Sequence, residues 1–242
     1  MKRAQLFTLA GLMMASSGIA SATTMNFQGL DAALSTAVWM DFTYLAGDRL
    51  PNGQLATSST KISEKNVIGA LDVSIDGSLQ IQDAFCVDPL LTISNGNYNV
   101  NLSSPNTINN GLRAAWMLHN VLPQISAAMA GTQQRNLAAA LQMAIWDVVT
   151  DNGDGFSSGR IQMSSKTSKP TDAAILSLAQ SFISQSAGQT YGYALIISNV
   201  NVNALTQRLI VDQPGSGVPE PSTWALALTG LVFAGLRRAK RF

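Results

Sequence analysis

One cysteine and one histidine occur in 242 residues. A single cysteine excludes an intrachain disulfide, and a single histidine excludes a histidine-rich metal site. Charge is scarce too. Asp, Glu, Lys and Arg make up 12% of the chain, about half the usual ~25% share. Ser, Asn, Thr and Gly fill the surface instead, which suits an extracellular protein in a polysaccharide matrix. No internal repeat stands out, and no uninterrupted apolar run reaches the ~20 residues of a comfortable membrane span. No cofactor loop, metal cluster or Cys-His-Asn layout can be assembled from the residues present. These absences argue against a turnover enzyme and imply no cofactor and no metal.

What is present begins at the ends. The opening "MKRAQLFTLAGLMMASSGIASATT" has Lys2 and Arg3, an apolar or small stretch from Leu6 to Ala20, and a small-x-small pattern at Ala20-Ser21-Ala22. It reads as a secretory signal peptide over 1–22, cut between Ala22 and Thr23. The close "VPEPSTWALALTGLVFAGLRRAKRF" has three parts. Val218, Pro219, Glu220 and Pro221 form a stiff extended motif, because each proline fixes φ and disfavours helix before it. Trp224 to Leu236 is apolar, and Arg237, Arg238, Lys240 and Arg241 follow. Positive charge stays on the cytoplasmic side, so the body is expected outside.

This ending resembles the PEP-CTERM sorting signal of Gram-negative, exopolysaccharide-producing bacteria. The resemblance covers 218–242 and implies an exosortase as partner, transient anchoring in the inner membrane through the C-terminal helix, and delivery to the cell surface or extracellular matrix. The expected organisation is thus a signal peptide (1–22), one body (23–213), a short linker (214–217) and the sorting segment (218–242). Between Thr23 and Gly217 nine basic residues face thirteen acidic ones, a net charge of −4. The near-neutral whole chain hides this excess. Without a basic patch, nucleic acid is not an expected partner.

Along the body, residues 25–60 have no single reading; "TAVWMDFTYLAG" fits a strand or a short helix. Val73, Ile75, Leu79, Ile81 and Phe85 alternate with polar residues, and Asp76-Gly77 lies between the halves. This predicts a β-hairpin with Cys86 near its end. Residues 95–107 read as a polar loop. Helical spacing follows from Asn109, with a kink or break at Pro123. The strongest helix carries the stripe Leu137, Leu141, Ile145 and Val148, and Asp151-Asn152-Gly153 ends it. "DNGDGF", 151–156, looks like a calcium loop, but an EF-hand alignment puts Thr150 and Ile161 at its terminal ligand positions, so it reads as a helix-ending turn. A third helix is predicted within 170–188, capped by Thr171 or Asp172 and stopped by Gly188. Strand character then returns. Strands, helices and strands in that order predict an α+β fold: an antiparallel β-sandwich or barrel with an inserted helical subdomain.

Two segments remain. "AFCVD" holds Phe85 and Cys86; "LQMAIWDV" places Gln142, Ile145, Trp146 and Val149 on one helical face. A glutamine among Ile and Trp is either a surface residue beside the core or a buried amide with a purpose. Together, Phe85-Cys86 and Leu141-Gln142-Met143-Ala144-Ile145-Trp146 resemble the thioester domains of bacterial surface proteins, best known from Gram-positive adhesins. The resemblance spans 73–155 and implies an internal thioester between Cys86 and Gln142. Phe85, Ile145 and Trp146 would shield it, and an amine on a partner would take the acyl group. The alternative is a non-covalent structural or exopolysaccharide-associated matrix protein in which Cys86 is plain core. His119 is expected to be a packed structural residue. Asp88 and Asp147 flank the pair and either polarise it or are solvated.

Overall fold

The computed structural model describes residues 23–77, 80–166, 170–201 and 206–213, with only the backbone at Pro170. The predicted signal peptide up to Ala22, the linker, the sorting segment with Val218 to Pro221, and Leu79 of the predicted hairpin lie outside these residues. Among the described residues no helix is long and apolar enough to cross a membrane.

The segment without a clear reading contains the longest element. β1 (Thr23–Tyr44) is one strand of 22 residues. Met25 and Phe27, then Val38, Met40, Phe42 and Tyr44, turn inward with period two, the alternation a strand imposes. An irregularity between Leu30 and Ser35 separates the two halves. β2 (Thr60–Ile75) runs back along β1, and the turn at Asp76-Gly77, both at positive φ, leads towards β3 (Gln82–Cys86). The predicted hairpin is therefore present, with a longer connection than two residues.

Residues 95–107 are not a loop. They form β4 (Gly96–Ser103) and a 3-10 turn at Pro105–Thr107. Asparagine is poor in strands, but β4 is flanked by partners on both sides, β1 and β6 (Leu195–Asn199). Only Val100 of β4 is fully buried. β5 (Ile161–Met163) and β7 (Leu209–Val211) complete the sheet.

The pairings close on themselves. Met25 faces Ile75 of β2 on one side and Tyr98 of β4 on the other. The ring runs β1-β2-β3-β7-β6-β4 and returns to β1, with every pairing antiparallel. Of the sandwich and the barrel, it is the barrel, and closure removes the exposed edges of an open sheet. β5 lies outside the ring, on the far half of β1 at Met40–Phe42.

The helices enter between β4 and β6, which are paired neighbours, so the helical part is an insertion. α1 (Gly111–Ala127) passes through Pro123 without ending, against the predicted break. Proline removes one helical bond, and side chains of the same helix hold nearby carbonyls: Asn120 Nδ2 donates to Trp116 O, and Gln124 Nε2 to Asn120 O. Burial of Val121 and Ile125 on both sides fixes it further. α2 (Thr132–Asp151) is buried at every residue from Leu137 to Val148. It lies against α1, β1, β2, β3 and α3 (Pro170–Gln185). Each Leu or Ile it buries contributes about 1.5–3 kcal/mol. Thr171 and Asp172 do not cap α3; both stand inside its first turn behind Pro170.

Candidate functional site

The β2–β3 ladder begins at Val73↔Gln82 and stops at Leu71↔Ala84. Just beyond it β2 is irregular: Gly69 has φ +147°, and a Cβ there would meet Leu34 O at 2.0 Å. Only glycine fits this conformation and this approach. Two residues beyond Ala84, Cys86 finds other partners. Its N–H donates to Gln142 Oε1 at 2.8 Å, and its C=O accepts from Gln142 Nε2 at 2.8 Å. The glutamine amide thus fits the main chain of β3 as a ladder partner would. Gln142 is 1% exposed and Cys86 6%. Both partners of the amide are satisfied, as a buried amide requires. The sequence alternatives for Gln142 resolve to the buried amide.

A cavity of about 360 Å³ reaches this clasp. Cys86, Gln142, Trp146 and Gln207 line it, with Tyr44 and Glu64. Among the described residues, Glu64 is the only charged one along its wall. Tyr44 donates its hydroxyl to Glu64 Oε1 at 3.4 Å. Burial raises the Glu64 carboxyl above its ordinary range, and burial with the nearby Glu64 and Asp48 charges raises the Tyr44 phenol.

Burial also pushes the Cys86 thiol well above its ordinary pKa, and the Asp88 charge adds to this; a hydrogen bond from Gln207 pulls the other way. As a free group, Cys86 is a poor thiolate here. Trp146 lies one helical turn after Gln142. Its ring meets Phe42 edge-on at 6.0 Å, and its indole N–H is buried with no hydrogen-bond partner among the described residues. Phe85 and Ile145 are wholly buried but do not line the cavity. Phe85 neighbours Cys86 on a strand and so projects from the opposite face.

The flanking carboxylates have other employment. Asp88 holds Arg208 by its Nε, Nη2 and main-chain N–H. Its own C=O accepts from Gln207 Nε2 at 2.9 Å, which sets Gln207 beside Cys86. Asp147 is fully buried and away from the cavity wall. Burial is the main cause raising its carboxyl to about 7, opposed by the Gly155 N–H. His119 is a structural residue but not a core one: its side chain is 43% exposed, stacked on Tyr191 at 4.1 Å and bonded through Nδ1 to Asp212 at 3.0 Å.

Glu64, Gln207 and Gly69 went unseen in the sequence. Gly69 had a signal, an isolated glycine inside a strand pattern, which marks a bulge or a close approach. Glu64 and Gln207 had none, because they join the site only when β2 and the segment before β7 converge on it.

No curated protein matches this chain. Among solved structures, the N-terminal domain of the Streptococcus pyogenes pilus tip adhesin Cpa is similar at 13% identity and TM-score 0.41, over 74% of this chain and 95% of that one. The N-terminal thioester domain of a surface protein from Clostridium perfringens is similar at 10% identity and TM-score 0.37, over 74% and 99%. Residues 83–187, which contain both Cys86 and Gln142, match the family model of the thioester domain.

Proposed function

We propose that Cys86 and Gln142 form an internal thioester, and that the chain uses it once to attach itself covalently to an amine on a partner. The carrying observation is the two-point clasp of the Gln142 amide on the Cys86 main chain, at a cavity whose wall holds a single charged residue among the described residues. In the first step the Cys86 sulfur attacks Cδ of Gln142. The C–S bond forms, the C–N bond breaks, and the thiol proton leaves with the amide nitrogen as ammonia. The Cys86 N–H, already on Oε1, polarises that carbonyl and stabilises charge developing on it.

In the second step an amine nitrogen takes the acyl carbon and the sulfur regains a proton. The product is an amide, and the thiol is free. Burial protects the bond between the steps. Water has little access, and the raised thiol pKa makes the sulfur a reluctant leaving group, which slows loss to weak nucleophiles. Because the bond is consumed, the chain is an attachment protein and not a turnover enzyme.

The setting proposed is the cell surface or extracellular matrix. It rests on the signal-peptide pattern before Thr23 and on the motif Val218 to Pro221 with its apolar run and basic tail. There an exosortase would recognise the ending after transient membrane anchoring.

The test is the intact mass of the purified protein, before and after methylamine, with Cys86→Ala as control. The expected native mass is short by one ammonia, methylamine adds to it, and a thiol appears; the variant shows none of this. A full native mass with a titratable thiol would overturn the thioester and leave a non-covalent matrix protein with an inert Cys86.

A further inference from the structure

We propose that Asp147, Asp151 and Asp154, at the C-terminal end of α2, form a binding site for a hard divalent cation, Ca²⁺ in the first instance. Each of the three offers a carboxylate oxygen, and the three oxygens lie within 4.8 Å of one another. The cluster alone would be unremarkable; acidic groups at a turn are common. Asp147 makes the difference. It is fully buried, its Oδ2 accepts from the Gly155 N–H at 3.3 Å, and its Oδ1 is buried with no hydrogen-bond partner among the described residues. A buried carboxylate oxygen without a donor is costly. A cation shared with Asp151 and Asp154 would give that oxygen a partner.

The surroundings agree. None of the three carboxylates belongs to an ion pair among the described residues. Arg113 approaches, but its N–H groups go to Asn152 O, Ile183 O and Ser186 Oγ. Asp151 Oδ2 is fixed by the N–H groups of Arg160 and Ile161, each at 2.8 Å. The helix C-terminus adds partial negative charge. Exposed Asp154 leaves one side open to water, which would complete the six to eight oxygens that Ca²⁺ takes. Mg²⁺ demands stricter octahedral geometry and fits an irregular trio less well. The donors come from one helix end and the turn after it, so the "DNGDGF" turn would bind without being an EF-hand. A second trio, Asp31, Asp72 and Asp83, has no buried orphan oxygen and serves as an internal control. The inference does not depend on the thioester.

The experiment is Tb³⁺ titration of the purified protein, excited through tryptophan. Trp146 adjoins Asp147 and is placed to sensitise a bound lanthanide. Saturable emission is expected, displaced by Ca²⁺ at about millimolar or lower concentration and poorly by Mg²⁺. Asp154→Asn, at an exposed position, should weaken Tb³⁺ binding at least about tenfold, since it removes one of few charged ligands. Asp72→Asn should leave binding unchanged, and Ca²⁺ should raise the melting temperature of the wild type more than that of Asp154→Asn. Absence of both emission and a melting shift would overturn the site. So would equal responses in wild type and Asp154→Asn.

Discussion

Among the described residues, Glu64 is the one charge on the wall of the cavity that reaches Cys86 and Gln142. An ammonium entering there meets a carboxylate that can hold it and accept its proton, because burial has already raised the Glu64 carboxyl. Glu64→Gln keeps the shape and the Tyr44 contact while removing the charge. We expect methylamine incorporation to slow by about a hundredfold near neutral pH, the low end for a general base, with incorporation of hydroxylamine, mostly uncharged at that pH, nearly unchanged. Equal slowing of both nucleophiles would mean that Glu64 only holds the cavity open. The Cys86 thiol gives a second prediction. Its folded pKa lies above the ordinary 9.0, so its contribution to stability is fully present below that value and is lost as pH rises above it. A thioester has no thiol to titrate. Denaturation midpoints of methylamine-treated protein should therefore fall relative to untreated protein above about pH 9, and Cys86→Ala should abolish the difference. That Cys86 and Gln142 meet was legible only through the resemblance of their two short motifs to thioester domains. Glu64 and Gln207 were not, since nothing local marks a residue that contributes only its place on a distant strand.

At the scale of elements, the site depends on where β2 leaves β3. Past Leu71↔Ala84 the ladder ends, and Gly69 carries the irregularity against Leu34 and Ser35 of β1. Gly69→Ala would force a methyl group to 2.0 Å from a carbonyl oxygen and require a positive φ of a residue with a side chain. The expected loss is about 2–6 kcal/mol, since strain and overpacking each cost about 1–3, measured by chemical denaturation. The clasp should suffer with it, so less thioester per mole should form in the intact mass. A stable variant with full thioester content would show that the bulge serves neither. The same strand explains much of what the sequence left open. Helix α2 was readable because its apolar stripe is long and ends in Asn-Gly. β1 was not, because its period-two pattern is interrupted at Asp31–Leu34 by residues that leave the register. β4 was hidden by asparagines, which a strand held between two partners tolerates. Pro123 misled in the other direction: it removes one hydrogen bond, but the helix around it is held by its buried face.

Over the whole molecule, the barrel and the helices share one core. α2 has no exposed face along Leu137–Val148, and three of the surfaces that cover it belong to β1, β2 and β3. The inserted helices therefore cannot form a stable unit once the ring opens, since an isolated helix of this length gains little without tertiary burial. Met25 tests this from the far side. It is 3% exposed and, with Asn26 and Phe27, is one of the residues at which β1 meets both β2 and β4. Met25→Ala should cost about 2–5 kcal/mol as a buried truncation. Cooperative unfolding also predicts that helical circular dichroism and tryptophan fluorescence lose their native signals at one midpoint, displaced together in the variant. Trp39 reports from β1, while Trp116 and Trp146 report from α1 and α2. A helical signal outlasting the fluorescence change would instead mean that the insertion folds independently. Gln142 would then sit on a platform able to move relative to Cys86. A shared transition keeps Cys86 and Gln142 in one rigid body, as the proposed bond, made once and held until use, requires.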